Sequence, residues 1–589
     1  LKVNPGVTLS ITNLILANGR DVGTNGANAS AFGHPAENGY PGQGGAILND
    51  GGTVWLMSCV LSNNSVVGGR GGAYAQPYPD NGKAGEGQGG AVFVRNGSLV
   101  LESVELLNNS AIGGPGVKVG QFNTTDAAGD AFGGAVYVTN SSVVVAGGCL
   151  SSNLCKAPAG GTGAGATAFG GAIFLASGSL VLTNAFLSEN LAWGEDSFYD
   201  SVGFPRPGSS CGGAVAALQG TVTIEHSQII SNRAFGGNAV RHSGTGEARG
   251  GGVFSSAIVV AHNSLFHGNQ AVSGNGSSKN TDGLGGACHN SGTAAFSSCS
   301  FVLNLASGGN AGAFGGDTLS YPGGHGLGGG ICNVAQLALT NCTLTVNSAL
   351  GGEGAFPLGL PGSGLGGGVF NSNGVVNAVN VTIASNLTAA GKGWSYEGLA
   401  GGANVANTNG TLTLLNSILA YPGTNNDAWG TISDAGHNIS SDGSANLNSG
   451  TSFNFTDPLL RPLGNYGGPT PTMALQNNSP AVDFGAAEGA PLIDQRGLVR
   501  PAGLGVDIGA CELQSASAQV PPLALKREEV GLRLSFQAQS NVVYHLQHSK
   551  TLATWADVEL IGPYTSETTV SRTIGVDEQS QDFFRIFLP

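Results

Sequence analysis

Charged residues, methionine and long apolar stretches are all scarce in this sequence of 589 residues. Lys, Arg, Asp and Glu together make up 10% of it, and there are 2 methionines. No run approaches the 18 or so apolar residues that a membrane-spanning helix requires. The formal net charge is −14, and such a surface repels nucleic acid and anionic lipid. We therefore expect no nucleic-acid partner and no membrane insertion.

Signals for export and for metal binding are missing as well. No basic segment followed by an apolar one marks a signal peptide at the start of the sequence. Leu1, Lys2 and Val3 enter a strand pattern at once, and we interpret this start as a matured or trimmed N-terminus. No Cys-x-x-Cys pair and no His-rich spacing indicates zinc. The sequence thus predicts no metal and no other cofactor.

Glycine is abundant, with 101 copies, and glycine pairs open a repeated unit. In the copy from Gly89 to Asn109, apolar and polar residues alternate with a period of two, and Asn96-Gly97 interrupts the short apolar runs. This pattern predicts two or three short strands and no helix. One such unit cannot bury its own apolar face, so it needs neighbours.

The same unit recurs at a nearly fixed length. Glycine pairs begin at Gly44, Gly89, Gly133, Gly170, Gly212, Gly250, Gly285, Gly328, Gly366 and Gly401. The units close on the pairs Leu61/Asn64, Leu106/Asn109, Leu150/Asn153, Leu187/Asn190, Ile229/Asn232, Phe266/Asn269, Phe301/Asn304, Leu344/Asn347 and Ile383/Asn386. Ile15/Asn18 is interpreted as a leading half-unit. The series is expected to end after Ile418, where Tyr421 stands in place of the asparagine.

A strand-rich unit of fixed length, with asparagine at a constant phase, predicts a solenoid in which each coil lies on the previous one. At about 4.8 Å per coil, the asparagines would form a ladder of side-chain amides. We interpret this column as structural, because a substrate site needs unlike residues that converge. The predicted fold is all-β: a parallel β-helix of about eleven coils, with adjacent ladder asparagines within about 8 Å of each other.

The pairing of Gly-Gly-Ala-apolar with Phe/Ile/Leu-x-x-Asn resembles the repeats of chlamydial polymorphic outer-membrane proteins. More broadly, it resembles bacterial secreted right-handed parallel β-helix proteins, over about Leu1 to Glu512. The resemblance implies a right-handed helix, secretion and a cell-surface location. Proteins with such helices serve as adhesins, passenger domains, surface fibres and polysaccharide-cleaving enzymes, so the resemblance implies no single function.

The 9 cysteines are an odd number, so at least one is predicted to be free or to pair between chains. Cys59, Cys299 and Cys342 each stand five residues before a ladder asparagine. Cys288 and Cys332 follow their glycine pairs, and we expect them to share one position on successive coils. Stacked small side chains are the favoured interpretation, and disulfides are the alternative.

Insertions of variable length separate each closing asparagine from the next glycine pair. They span Ser65 to Gln88, Ser110 to Phe132, Leu154 to Phe169, Leu191 to Cys211, Arg233 to Arg249, Gln270 to Leu284, Leu305 to Leu327, Ser348 to Leu365 and Leu387 to Ala400. Because their lengths differ while the unit does not, we expect glycine-rich loops that leave each coil at one corner and gather on one side. Slack loops without a partner are the alternative.

The loops are predicted to carry most of the aromatic residues outside the strands. These are Tyr74, Tyr78, Phe122, Trp193, Phe198, Tyr199, Phe204, Phe235, Tyr321, Trp394 and Tyr396. Exposed aromatics on such loops fit contact with sugars or with other protein chains, and packing against one another is the alternative.

The repeat pattern dissolves near Gly436, which sets the predicted domains. Residues 1–435 form the β-helix and 436–513 form terminal coils with a closing cap; 514–522 is a linker, and 523–589 is a separate small β-sandwich. The closing stretch resembles the final module of bacterial surface proteins with such β-helices. Tyr544-His-Leu-Gln-His-Ser and Phe583-Phe-Arg resemble a C-terminal β-sandwich of secreted proteins of Verrucomicrobia and related bacteria.

Two groups of residues have the composition of an active site. Polygalacturonases carry Asn-Thr-Asp, Asp-Asp, Gly-His-Gly and Arg-Ile-Lys on successive coils, where paired aspartates act as acid and base. Asn280-Thr281-Asp282 and Gly324-His325-Gly326 match two of these motifs, whereas Asp-Asp and Arg-x-Lys do not occur. We therefore predict that Asp282 has no second carboxylate nearby. A calcium-dependent lyase would need clustered acids on the strands, which are nearly free of charge.

The second group is formed by acids and arginines of the closing module. Its members are Asp483, Asp494, Arg496, Arg500, Asp507 and Glu512. We interpret them as an ion-pair and turn network in a terminal cap that covers an exposed coil edge. No catalytic, cofactor-binding or metal-binding residue is predicted.

The expected function is that of a non-enzymatic, extracellular or cell-surface structural or adhesive protein. A carbohydrate-active enzyme or carbohydrate-binding β-helix protein is the alternative. We expect head-to-tail self-association, in which the last strand of one copy, Phe583 to Leu588, covers the first coil of the next and extends a filament. Surface polysaccharide or another cell-surface protein is the other class of partner.

Overall fold

The computed structural model describes most of the chain. The described residues are 1–29, 36–73, 82–116, 128–159, 165–197, 207–239, 244–276, 280–312, 321–356, 358–394, 396–514, 523–528, 531–538, 543–550, 555–564, 566, 568–574 and 583–587. Two compact units divide it, Leu1–Leu513 and Gln514–Pro589. Residues 515–522, most of the predicted linker, lie outside the described part.

Five parallel sheets run along the first unit, and successive coils add a strand to each in turn. Sheet 1 contains Lys2–Val3, Ile47–Asp50, Val92–Arg95, Val136–Thr139, Ile173–Leu175, Val215–Ala217, Val253–Ser255, Cys288–Asn290, Ile331–Asn333, Val369–Ser372, Val405–Thr408 and Ala428–Trp429. Sheet 2 contains Thr8–Thr12, Thr53–Met57, Gly178–Thr183, Thr221–Glu225, Ile258–His262, Thr293–Ser297, Gln336–Thr340, Val375–Val379, Thr411–Leu415 and Ser433–Asp434. Ser98–Leu107 and Ser141–Ser151 run through both sheet 2 and sheet 3.

Sheet 3 contains Ile15–Ala17, Val60–Ser62, Phe186–Ser188, Gln228–Ile230, Leu265–His267, Ser300–Val302, Thr343–Thr345, Thr382–Ala384, Ile418–Ala420 and Ile439–Ser440. Sheet 4 contains Arg20–Val22, Ser65–Val67, Ser110–Ile112, Leu154–Ala157, Leu191–Gly194, Arg233–Phe235, Gln270–Val272, Leu305–Ser307, Ser348–Leu350 and Leu387–Ala389. Sheet 5 contains Gly42–Gln43, Gly87–Gln88, Ala131–Phe132, Thr167–Phe169, Ser209–Cys211, Ala248–Arg249, Gly283–Leu284, Gly326–Leu327, Gly364–Leu365 and Ala400–Gly401. The predicted parallel β-helix is confirmed.

Sharp corners separate the sheets within each coil, and their residues adopt positive φ. In the second coil, Gly44 (φ 60°), Ser58 (φ 50°) and Asn63 (φ 54°) make three of these corners. Glycine enters this region at low cost, which explains why it recurs at the first corner, whereas the other two corners carry Asn, Ser and other residues. Between the corners, alternate side chains point inward, and Ile47, Val54 and Leu61 lie in one long apolar core.

The predicted asparagine ladder is confirmed. Each ladder asparagine accepts hydrogen bonds at Oδ1 from the backbone N–H and the Nδ2 of its predecessor; Asn190 Nδ2 donates to Asn232 Oδ1 over 2.9 Å. Its own Nδ2 also donates to a carbonyl of the preceding coil, as Asn232 does to Leu187 at 2.9 Å. Because these side chains are completely buried, every amide must find such partners.

Both ends of the ladder differ from the prediction. Gly19, and not Asn18, occupies the ladder position of the first coil, since its N–H donates to Asn64 Oδ1. The ladder also continues past Asn386, because Asn404 takes the place of the missing asparagine and donates to Asp427 Oδ1 over 2.6 Å. Burial and the nearby charge of Asp442 raise the pKa of Asp427.

A second ladder was not predicted. In sheet 1, Asn290, Asn333, Asn371 and Asn407 form a chain in which each Nδ2 donates to the next Oδ1 at 2.7 or 2.8 Å. The sequence signal was an asparagine five residues after the corner glycines Gly285, Gly328, Gly366 and Gly402, but it occurs in only part of the array.

The described parts of the insertions form an ordered glycine layer, composed of outgoing arms after sheet 4 and return arms before sheet 5. Gly69 N–H donates to the Tyr40 carbonyl, Gly85 to Gly69, and Gly114 to Gly85, at 2.7 or 2.8 Å. A Cβ on Gly113 would lie 1.7 Å from the Gly129 carbonyl oxygen. Only glycine permits this approach, so the arms are packed rather than slack.

The insertions are shorter than predicted, because their first and last residues are strands of sheets 4 and 5. Trp193 and Phe235 accordingly lie on strands of sheet 4 and not on loops. Six predicted loop aromatics lie outside the described residues: Tyr74, Tyr78, Phe122, Phe198, Tyr199 and Phe204.

Residues 458–513 form a lateral strap along the outer face of sheet 3, whereas Ala445 and Leu447, earlier in the stretch predicted as terminal coils and closing cap, join the main core. The capping role predicted for 436–513 stays a prediction. Gln495 is buried and donates to Ser300 Oγ over 2.8 Å, while Thr343 donates to Gln495 Oε1 over 2.6 Å. Asn380 Nδ2 donates to the Asp507 carbonyl at 3.1 Å. Burial raises the pKa of the Asp507 carboxyl to about 6.

The second unit is a small antiparallel sandwich, as predicted. One sheet contains Ala524–Glu528, Gly531–Ala538 and Thr568–Ile574, and the other contains Tyr544–Ser549, Ala556–Ile561 and Phe583–Phe587. Phe536 and Tyr544, one from each sheet, meet with ring centroids 5.1 Å apart in their common core.

All nine cysteines are free thiols. Cys299 and Cys342 lie one residue before the paired Ser300 and Thr343, so they stack on adjacent coils inside the core as expected. The prediction for Cys288 and Cys332 was wrong: Cys288 pairs with Ile331 and faces the core, whereas Cys332 pairs with His289 on the opposite side of sheet 1.

We predict that Asn232→Ala lowers the free energy of unfolding by about 3–5 kcal/mol, because buried donors and acceptors on two neighbouring coils lose their hydrogen-bond partners. Gln228→Ala, on the exposed side of the same coil, is the control and should cost less than about 0.5 kcal/mol. Chemical denaturation measures both. Equal losses in the two variants would contradict the structural role of the ladder.

The raised pKa of Asp507 predicts a pH-dependent stability. Since this carboxyl is more easily protonated when folded than when unfolded, its protonation stabilises the fold at low pH, and that stabilisation is lost as pH rises through about 6. The melting temperature should therefore fall between about pH 4 and pH 6 and level off above that range. Asp507→Asn should flatten this part of the profile, while exposed Glu353→Gln leaves it unchanged. An Asp507→Asn profile as steep as that of the intact chain would refute this assignment.

Candidate functional site

The residues predicted as fragments of an active site belong to one column beside the glycine layer. This return column, defined by the register of sheet 5, contains Glu86, Asp130, Thr167, Ser209, Glu247, Asp282, His325 and Ser363. It places unlike polar side chains on consecutive coils, so it is the natural candidate for acid and base chemistry.

Asp282 and His325 are brought together on adjacent coils. Asp282 Oδ1 accepts the backbone N–H of His325 at 2.7 Å, and His325 Nδ1 accepts the backbone N–H of Ser363 at 2.8 Å. Because His325 Nδ1 accepts this hydrogen bond, it carries no proton of its own. Both side chains therefore act as acceptors for the next coil's backbone.

The prediction that no second carboxylate lies near Asp282 was wrong. Ala248 pairs with Gly283, so Glu247 occupies the same position one coil earlier, about 4.8 Å along the axis. Glu247 is engaged in an ion pair with Arg249 at 2.5 Å. Register thus places the two acidic residues on adjacent coils, and Glu247 is already paired with an arginine two residues along its own chain segment.

The same backbone-accepting role recurs along the return column. Asp130 Oδ1 accepts the N–H of Thr167 at 2.6 Å, and Ser209 Oγ accepts the N–H of Glu247 at 3.2 Å. Burial raises the pKa of both Asp130 and Glu86. A repeated contact of this kind extends the coil-to-coil pairing and explains the polar residues without a substrate.

An aromatic stack on the outward side of sheet 1 was missed from the sequence. Phe93 and Tyr137 stack at 4.9 Å between ring centroids, and Phe254 stacks on His289 at 5.7 Å. Sheet 5 supplies further rings, since Phe132 lies 4.7 Å from Phe174. The signal was an aromatic two residues after the alanine of several Gly-Gly-Ala units.

The buried His289 is a neutral member of this stack. Burial lowers its pKa to about 3, with a further contribution from the Arg249 charge. Its Nδ1 has no hydrogen-bond partner within the described part of the chain. Across the described residues, no three His, Cys, Asp or Glu side chains are grouped as a metal site would require.

The acids and arginines of the strap form a closed network, as interpreted from the sequence. Arg500 and Glu512 are fully buried and paired at 2.9 Å, and Glu512 also accepts the N–H of Asp507 at 3.0 Å. Asp494 pairs with Arg496 at 2.6 Å and accepts the N–H of Glu512. These carboxylates are saturated by donors that hold the strap's turns.

Exposed apolar residues at the tips of two loops form the remaining candidate surface. This loop patch contains Phe356, Leu358, Leu360, Trp394, Tyr396 and Leu399. Phe356 and Trp394 meet edge to face at 5.1 Å, and Trp394 is 75% exposed. A short hairpin holds Trp394 in place, because Gly393 N–H donates to the Tyr396 carbonyl at 3.1 Å. Two predicted loop aromatics therefore lie on an exposed surface.

No helix in the described part of the chain is long and apolar enough to cross a membrane. In comparisons with known proteins, no family model matches the chain, and no curated protein matches it significantly.

Proposed function

We propose that this chain is a non-enzymatic structural or adhesive protein of the cell surface or extracellular space. The observation that carries the proposal is the role of Asp282 and His325, which accept backbone N–H groups of the next coil. Catalysis of glycoside hydrolysis requires two carboxyl groups free to exchange protons with substrate and water. Here the neighbouring Glu247 is paired with Arg249 instead.

The construction of the rod also supports a structural role. Its interior amides are saturated by the ladders, and its side is braced by the glycine layer and the strap. An extracellular setting rests on the likeness of the repeats to those of secreted β-helix proteins. Self-association belongs to the same proposal, because structural rods act by contacts between copies.

The loop patch favours carbohydrate binding as a second candidate function. Trp394, Tyr396 and Phe356 expose aromatic faces on short, hydrogen-bonded loops. Aromatic rings presented in this way bury the apolar faces of ligands at small entropic cost. Lys392 and Glu397 flank Trp394 and offer hydrogen-bonding groups of both kinds.

Incubation with acidic and neutral polysaccharides tests the absence of catalysis. We expect no reducing ends from the intact chain. Asp282→Asn keeps an acceptor oxygen and should fold with nearly unchanged stability, whereas Asp282→Ala should lose about 1 kcal/mol. Turnover that disappears in Asp282→Asn and persists in Glu353→Gln would overturn the non-enzymatic proposal.

Affinity electrophoresis in the same polysaccharides tests the second candidate. If the loop patch binds sugar, Trp394→Ala should weaken retardation about tenfold or more, the size expected for loss of a stacked ring. The control is Phe455→Ala, which removes another highly exposed ring. Equal retardation of the two variants would exclude the patch as the binding surface.

A further inference from the structure

The outward face of sheet 2 remains open along the whole rod, in contrast with the faces beside it. On sheet 1 the outward side chains Phe93, Phe174 and Phe254 are buried by the aromatic stack. On sheet 3 the strap buries Ser300 and Thr343. None of the outward sheet 2 side chains of the eleven coils from Thr8 to Thr411 is buried.

This sheet 2 face consists of three columns, of which two are uncharged. The first is Thr8, Thr53, Ser98, Ser142, Ser179, Thr221, Ile258, Thr293, Gln336, Val375 and Thr411. The second is Ser10, Trp55, Val100, Val144, Val181, Thr223, Val260, Ala295, Ala338, Asn377 and Thr413. Neither of these two columns contains Lys, Arg, Asp or Glu, although the chain has a formal net charge of −14. The third column, at one edge of the face, carries the acids Glu102 and Glu225; its members are Thr12, Met57, Glu102, Ala146, Thr183, Glu225, His262, Ser297, Thr340, Val379 and Leu415.

The size of the face matches a stable protein interface. Ten steps of about 4.8 Å along the axis and five residues of about 3.3 Å across it give roughly 800 Å². A standard interface buries about 800 Å² on each partner. Trp55 and Ile258 are 42% and 48% exposed, so the face includes apolar side chains that a partner would cover.

We propose that two copies of this chain pack side by side, sheet 2 against sheet 2; this inference rests on the proposed structural function. A second copy has the same spacing between rungs, so the rows of one face fit between the rows of the other. The contact also joins two chains of equal net charge through a face whose first two columns are uncharged and whose third carries only two acids, Glu102 and Glu225, so few like charges meet across it. The twofold contact is isologous, since the sheet 2 face of one chain meets the identical face of the other.

The test uses the full chain in sedimentation velocity and small-angle scattering as concentration rises. We expect the mass to double and the cross-section of the rod to grow while its length stays constant. Val144→Lys with Val181→Lys places two charges in the centre of the face and should weaken dimerisation about tenfold or more. Both side chains point outward, so circular dichroism and melting should match the intact chain.

The control is Gln228→Lys with Leu265→Lys, on adjacent coils of the outward face of sheet 3, which should dimerise normally. If the valine variant misfolds, Ser142→Glu with Ser179→Glu tests the same face at more polar positions.

Three results would overturn the inference: a chain that stays monomeric, an assembly that grows only in length, or charged variants that dimerise as well as the intact chain. The inference is also overturned if the protein is monomeric and binds an insoluble polysaccharide, and if the charged variants lose that binding. Hydrolysis of a polysaccharide, by contrast, would contradict the proposed non-enzymatic function but would not affect the dimer, which sedimentation and scattering test separately.

Discussion

The parallel hydrogen bonding between successive coils is the constraint on which the rest of the structure depends. It fixes the register, so a residue at a given phase always meets the residue at the same phase one coil later. Identical amides then satisfy one another, as Asn190 and Asn232 do, and buried polar groups become stabilising instead of costly. The corner residues with positive φ maintain this register by turning the chain at the same points in each coil.

The glycine layer follows from the same register. Its arms leave and return at fixed corners, so neighbouring arms are brought to a spacing at which backbone contacts backbone. A side chain does not fit there: a Cβ on Gly82 would lie 1.8 Å from the Glu37 carbonyl oxygen. The high glycine content is therefore a packing requirement of the second layer and not a sign of slack chain.

Register also accounts for residues that look catalytic in the sequence. A column brings Glu247, Asp282 and His325 within reach of one another, yet each is matched to a donor of its own or the next coil. In the strap, Arg500 and Glu512 are likewise matched to each other as a buried ion pair. Removing one member of such a pair destabilises the fold, because the other charge is left buried and unpaired. The charged side chains of the return column and of the strap are thus engaged in contacts within the fold.

The sequence by itself determined the all-β class, the parallel β-helix, the main ladder from Asn64 to Asn386 and the separate C-terminal sandwich. Those features are local or repeat at constant spacing, so alternation and phase are enough to predict them. Tertiary structure decided the position of Glu247 beside Asp282, the packing of the glycine arms and the side-on binding of the strap. These depend on insertion length and on contacts between residues far apart in the chain, such as Ser300 and Gln495, which no local pattern contains.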